Sequence, residues 1–220
     1  MICKGRNNLI NQVIEQLRHH LYNESVTQQL TSDHILKLSK ELNRYINFYT
    51  RVTKNYLNKD YSRTYVHSNC IINILEVSKN EKFNLDSIIE QYPVEVKKWN
   101  QIGSIQRLLH YIETHYGWDA VEYMGEQVPN ICIFPESVDT FYKSIQNLNC
   151  IFYQNHKSIV YIGEYLPYIS NKDVQLFCHT PHYSTAFNHG LLKGLSKKFS
   201  HPLRLNVQDK EYGGQFTMNI

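Results

Sequence analysis

Between Thr31 and Val52 the apolar residues fall at Ile35, Leu38, Leu42, Tyr45 and Tyr49. Steps alternating between three and four residues mark one side of a helix that packs along another helix. Upstream, Leu9 or Ile10, Val13, Leu17 and Leu21 repeat the spacing. The pattern therefore predicts one helix from about Asn8 to Asn23 and a second from Ser32 to about Leu57. The short break at Asn23–Leu30 makes them antiparallel neighbours. Thr31 or Ser32 can accept from the free N–H groups that open the second helix, and Asp33 suits its positive end. Such a hairpin buries little apolar area by itself, so it is expected to dimerise or to dock on the rest of the chain.

Asn58–Ser62 is polar and marks the expected boundary, giving a hairpin domain over 1–58 and a second domain over 59–220. Val66, Cys70, Ile71, Ile74 and Leu75 predict a helix over Tyr65–Val77. Asn84–Asp86 can cap a short helix that Pro93 ends or kinks. Gly103–Tyr116 reads as a helix with Ile105, Leu108, Leu109 and Ile112 on one side and Gly117 as its stop. Trp118–Gln127 follows as a short helix closed by Pro129. Pro135 opens a helix through Val138, Phe141, Ile145 and Leu148. Cys150–Tyr153 and Ser158–Tyr165 read as strands joined at Gln154–Lys157. Asp173–Cys178 alternates like a half-buried strand, and Ser184–Phe199 is a helix. Leu203–Val207 and Gln215–Ile220 form a closing hairpin around Lys210–Gly214. The predicted fold class is α+β: an antiparallel two-helix hairpin, then an α+β domain with a mostly antiparallel sheet.

Composition narrows the function classes. A formal net charge of +3 over 220 residues argues against a nucleic-acid binder carried by bulk charge. Five scattered cysteines (Cys3, Cys70, Cys132, Cys150, Cys178) form no C-x-x-C pair, and Met1–Asn7 has no apolar signal core. Both point to a reducing, cytoplasmic setting. No apolar run is long enough to cross a bilayer, so no membrane partner is expected. The 17 tyrosines, with many Asn, Ile and Lys, fit an AT-rich genome. G-x-S-x-G, P-loop, G-x-G-x-x-G and H-E-x-x-H motifs are all absent.

The second predicted helix carries Leu36-Lys-Leu-Ser-Lys-Glu-Leu-Asn-Arg-Tyr-Ile-Asn-Phe-Tyr49. With the amphipathic helix before it, over about residues 6–52, this stretch resembles the sporulation stage-zero aspartyl-phosphate phosphatases. That family consists of small helical hairpins with a Ser-Gln-Glu-Leu-Asp signature. The resemblance implies a regulator of a bacterial sporulation phosphorelay acting on a phosphorylated response-regulator receiver. It places Ser39, Lys40 and Asn43 at the catalytic positions, with Glu41, Arg44 and Asn47 as partner contacts. No cofactor is implied for the hairpin, because the receiver supplies the acyl phosphate and the magnesium. A phosphatase then only has to place a water in line for attack.

Two departures bear on catalysis. Lys40 stands at the family's Gln position and Asn43 at its Asp position. An Asn amide orients a water but does not take its proton, and a Lys ammonium is a donor that pairs with phosphate. The motif is thus a degenerate one, and binding can persist where hydrolysis is weak. Read without the family, the same residues are the solvated side of an amphipathic helix.

In the second domain Cys178-His-Thr-Pro-His-Tyr-Ser-Thr-Ala-Phe-Asn-His-Gly-Leu-Leu-Lys-Gly-Leu195 stands out. Gly190 and Gly194 share one helix face, which lets that helix approach a neighbour closely. With the closing Gly-Gly-Gln-Phe-Thr-Met, residues 100–220 resemble four-vinyl-reductase-type and haem-nitric-oxide-sensor-associated domains. That likeness implies a sensory or ligand-binding module with a small-molecule ligand. Cys178, His182 and His189 are candidate ligand or metal groups, at a spacing matching no common zinc site. A haem ligand drawn from 11 histidines is not singled out. The alternative function is a small-molecule sensor or dimeric adaptor whose hairpin only mediates association.

Overall fold

The computed structural model describes residues 6–53, 61–72, 97–170, 173–209 and 213–219. The chain divides into two compact units, Met1–Tyr56 and Leu57–Ile220.

The first unit is a helical hairpin of α1 (Arg6–Thr27) and α2 (Asp33–Thr53). Ile10, Val13, Ile14 and Leu17 of α1 are buried, as are Ile35, Leu38, Leu42, Tyr45 and Phe48 of α2. The seam ends on Phe48 rather than Tyr49, because a further step of three keeps to the same stripe as Tyr45 while Tyr49 turns to its edge. Helix α1 runs one turn past Asn23, so the connection is only residues 28–32. The Ser32 hydroxyl accepts from the Ile35 N–H at 3.4 Å, and Asp33 lies in the first turn.

The second unit is α+β. Strands β1 (Thr64–His67), β2 (Trp99–Gln101) and β3 (His156–Ser158) make an antiparallel sheet in the order β2-β1-β3. Strands β4 (Glu164–Ile169), β5 (Asp173–His179), β6 (Arg204–Asp209) and β7 (Gln215–Asn219) make a second one, in the order β4-β5-β7-β6. Pro167, which lacks an N–H, sits on β4, an edge strand. Helices α3 (Ile102–Gln127), α4 (Phe141–Gln146), α5 (Leu148–Gln154) and α6 (Thr185–Lys198) complete the unit. Tyr165 on β4, Val174, Leu176 and Cys178 on β5, and Phe216 and Met218 on β7 share one apolar core with α3 and α6.

Several sequence expectations are met. Helix α3 is interrupted at Gly117 (φ 78°, ψ −171°), so Gly103–Tyr116 and Trp118–Gln127 are separate helical halves. Strand β5, helix α6 and the closing pair β6–β7 fall where the pattern puts them.

Other expectations are corrected. Tyr65–Val77 does not begin as a helix: residues 64–67 are the central strand of the first sheet, and helix covers 68–72. Residues 73–77 and the short helix expected at Asn84–Asp86 lie outside the described residues. Helix α4 starts at Phe141 rather than after Pro135, because Thr140 caps it by accepting from the Lys143 N–H at 3.2 Å. Cys150–Tyr153 is helical, within α5. Ile145, Leu148, Ile151 and Phe152 are buried at helical spacing, and that packing overrides the strand preference of Cys-Ile-Phe-Tyr. The strand expected at Ser158–Tyr165 is instead the end of β3 and the start of β4.

Helices α3 and α6 meet backbone to backbone. A Cβ on Gly190 would lie 1.8 Å from the Glu122 carbonyl oxygen, and one on Gly194 would lie 2.1 Å from that of Glu126. On the other side, a Cβ on Gly125 would lie 2.1 Å from the Phe187 carbonyl oxygen. Backbone cannot swing away as a flexible side chain can, so the helices themselves must separate. Gly190→Ala is therefore expected to cost more than about 2 kcal/mol in urea denaturation of the full chain. Gly103→Ala, whose Cβ meets only Arg107 Nη1 at 3.7 Å, is the control and should gain up to about 1 kcal/mol from helix propensity.

Candidate functional sites

On α2 the signature residues lie away from the buried stripe. Lys40, Glu41, Asn43, Arg44 and Asn47 are exposed. Ser39 is half-buried at the edge of the seam, so it does not project outward with Asn43 as the four-residue spacing alone suggests. It borders a groove of about 460 Å³ whose walls include Arg18, Leu21, Tyr22, Leu36 and Leu42. The helix thus presents a half-covered hydroxyl beside an apolar groove, with an ammonium and a carboxamide in open solvent next to it. That combination is able to grip an anionic partner surface and orient a water.

In the second unit the structure does not gather Cys178, His182 and His189 into a ligand set. Among the described residues, they form no cluster of convergent metal donors. Cys178 is buried on β5, opposite Tyr165 on β4, and its N–H donates to the Gly214 carbonyl at 2.9 Å. His182 is buried, and its pKa is pushed down to about 3 by burial and by the nearby His156. His189 turns to Glu122, with Nδ1 3.0 Å from Oε2. Glu122 also accepts from Trp118 Nε1 at 2.6 Å and pairs with Lys193. Burial alone would raise the Glu122 pKa, but the bonds from Lys193 and Trp118 and the field of His189 outweigh it, leaving it low. For His189, burial lowers the pKa, Glu122 opposes and Lys193 adds to the lowering.

The polar centres of this unit are residues that the sequence reading does not pick out. His156 on β3 is buried, with Nδ1 2.7 Å from the Phe152 carbonyl and Nε2 2.6 Å from the Tyr183 hydroxyl. A carbonyl only accepts, so Nδ1 carries the hydrogen and Nε2 accepts from Tyr183. Asn188 on α6 is fully buried and fully used. Its oxygen accepts from Tyr165 Oη at 2.6 Å, and its amide donates to Thr180 Oγ1 at 2.9 Å and to the Gly213 carbonyl at 2.7 Å. One side chain thereby ties a helix to β4, to the end of β5 and to the turn before β7. Nothing in the local pattern marks either residue, since their partners lie up to 27 positions away.

Between the helices and β1 is a cavity of about 50 Å³ lined by Cys70, Cys132, Phe152, His156, Tyr183 and Leu191, among others. The thiols of Cys70 and Cys132 are 3.7 Å apart. The contact with Cys70, then burial, holds the Cys132 thiol well above its ordinary pKa.

Comparison with known proteins treats the two parts differently. Residues 2–51 match a family model described as SpoOE-like, a Spo0E like sporulation regulatory protein. No curated protein matches the chain. The C-terminal part has H-NOX domains as structural neighbours. An oxygen-binding H-NOX domain related to soluble guanylate cyclases, solved as its oxygen complex, gives a TM-score of 0.54 at 11% identity, covering 69% of this chain and 93% of that one. An H-NOX protein from S. oneidensis, in the Fe(II)NO state, gives 0.51 at 11% identity, covering 69% and 97%. A third structure, concerned with modulating haem redox potential through protein-induced porphyrin distortion, gives 0.53 at 11% identity, covering 70% and 99%. At such identities the match is one of fold.

These neighbours raise the question of haem, and the described residues around the cavity do not fit it. Pockets for drug-sized ligands occupy roughly 300–1,000 Å³, against about 50 Å³ here. Both ring nitrogens of His156, the one histidine among the described residues lining the cavity, are engaged with protein groups. The Cys132 thiol resists the deprotonation that ligation by a thiolate needs.

The buried histidines make stability depend on pH. Burial lowers the His156 pKa from 6.5 to about 4, so the unfolded chain takes up its proton first. The stability is complete above pH 6.5 and drains away as pH falls towards 4, at roughly 1 kcal/mol per pH unit for this group. His182 acts with the same sign. Urea midpoints of the full chain should therefore fall from pH 7 to pH 5, and His156→Gln should flatten that slope. Equal slopes in the two proteins would show that His156 does not carry the effect.

Proposed function

We propose that this protein is a regulator of a bacterial sporulation phosphorelay, whose hairpin engages the phosphorylated receiver domain of a response regulator. The match of residues 2–51 to a sporulation regulatory family carries the reading. The exposure of Lys40, Asn43, Arg44 and Asn47 on α2 supports it. The second unit acts as the sensory or assembly module, in keeping with its fold.

In this reading the receiver contributes the acyl phosphate and its magnesium. Water attacks phosphorus, the bond to the aspartyl oxygen breaks, and aspartate and inorganic phosphate are released. The Asn43 carboxamide oxygen accepts from the attacking water and aims it, without taking the proton. Lys40 pairs with phosphate oxygens, which favours binding the phosphorylated form more than its turnover. Ser39, at the groove edge, fixes the register of the helix on its partner, with Glu41, Arg44 and Asn47 around it.

The second reading is a sensor or dimeric adaptor whose hairpin only mediates association. The exposed Tyr22, Val26 and Leu30 near the hairpin's turn favour it. One experiment separates the two: the lifetime of a phosphorylated sporulation receiver, measured with the full chain and with the double variant Lys40→Gln/Asn43→Asp. Under the proposed function the variant shortens that lifetime at least tenfold relative to the parent, since a carboxylate can accept the proton as well as orient the water. An unchanged lifetime, with no binding by either protein, leaves the association reading.

A further inference from the structure

Near the turn of the hairpin three metal-donor side chains converge. His20 and Glu24 lie one turn apart on α1, and His34 lies in the first turn of α2. The His20 Nε2 is 3.7 Å from Glu24 Oε1, and the His34 Nε2 is 3.6 Å from Glu24 Oε2. One donor atom from each of the three falls within 4.8 Å of the others. The rings of His20 and His34 stand edge to face, with centroids 6.3 Å apart.

We infer that His20, Glu24 and His34 form a zinc site that clamps the end of α1 to the start of α2. Two imidazoles and one carboxylate are borderline donors suited to Zn²⁺, and they leave a fourth position for water. With bonds of about 2.1 Å and tetrahedral angles, neighbouring donor atoms lie about 3.4 Å apart. The three donor atoms, which lie within 4.8 Å of one another, need to close by up to about 1.4 Å, within the reach of exposed side-chain rotation. The carboxylate has outer support as well, because Gln28 Nε2 donates to Glu24 Oε2 at 2.7 Å. The i, i+4 spacing stacks His20 over Glu24 on one face of α1, and the short connector returns the chain in time for His34 to meet them. The site is separate from the signature residues of α2 and does not depend on the function proposed for them.

The test uses the full-length protein with Zn²⁺ competed against a chromophoric chelator, and with Co²⁺ as a spectroscopic stand-in. The expected result is one tightly held Zn²⁺ per chain and a visible Co²⁺ band of four-coordinate intensity. His34→Gln and His20→Gln should each weaken Zn²⁺ binding at least tenfold and remove that band. All three donors are on the hairpin surface, so the metal-free variants should match the parent in circular dichroism. His110→Gln, remote in sequence from the cluster, should bind Zn²⁺ as the parent does. Absence of stoichiometric binding by the parent overturns the assignment. So does unchanged affinity in both His34→Gln and His20→Gln, which would place the ion elsewhere.

Discussion

The second unit depends on one close approach, that of α3 and α6. Gly190 and Gly194 remove side chains where α6 meets the carbonyls of Glu122 and Glu126, and Gly125 does the same where α3 meets that of Phe187. Helices this near to one another cannot slide, because backbone atoms fill the space on both sides. The rest follows from that fixed pair. Glu122 comes within reach of His189, Lys193 and Trp118, Glu126 pairs with Lys197, and the apolar sides of both helices close over the second sheet.

Three buried polar side chains of this unit are matched to partners within the protein. Asn188 and His156 each satisfy all they can from within the protein, and Asn155 holds the Ile133 N–H and carbonyl together with the Ile151 carbonyl. Buried networks of this kind set a unique arrangement because a missing partner is costly. Among the described residues lining the cavity, His156 and Asn155 are committed to protein partners, and the space left is about 50 Å³.

The hairpin divides its chemistry between its two sides. Its seam is apolar and buried, while its signature helix shows Lys40 and Asn43 to solvent. Substituting an amide for a carboxylate keeps hydrogen bonding and removes basicity. Substituting an ammonium for an amide adds attraction to phosphate. Under the proposed function both changes favour recognition of phosphate over turnover.

Period and punctuation in the sequence suffice for α1, α2, both halves of α3, α6 and the closing strand pair. Each is long, or is bounded by a residue with a strong local preference, such as Gly117. The exposure of Lys40 and Asn43 is legible because a helical period tells which side of a rod a residue occupies, whereas Ser39, at the edge of the seam, is half-buried. The short elements are decided by tertiary structure. Residues 64–67 become a strand because β2 and β3 flank them, and Cys150–Tyr153 become helix because Ile151 and Phe152 reach the core that way. The commitments of His156, Asn188 and Glu122 are likewise invisible in one dimension. Each joins residues far apart in the chain, and only the fold brings such groups to hydrogen-bonding distance.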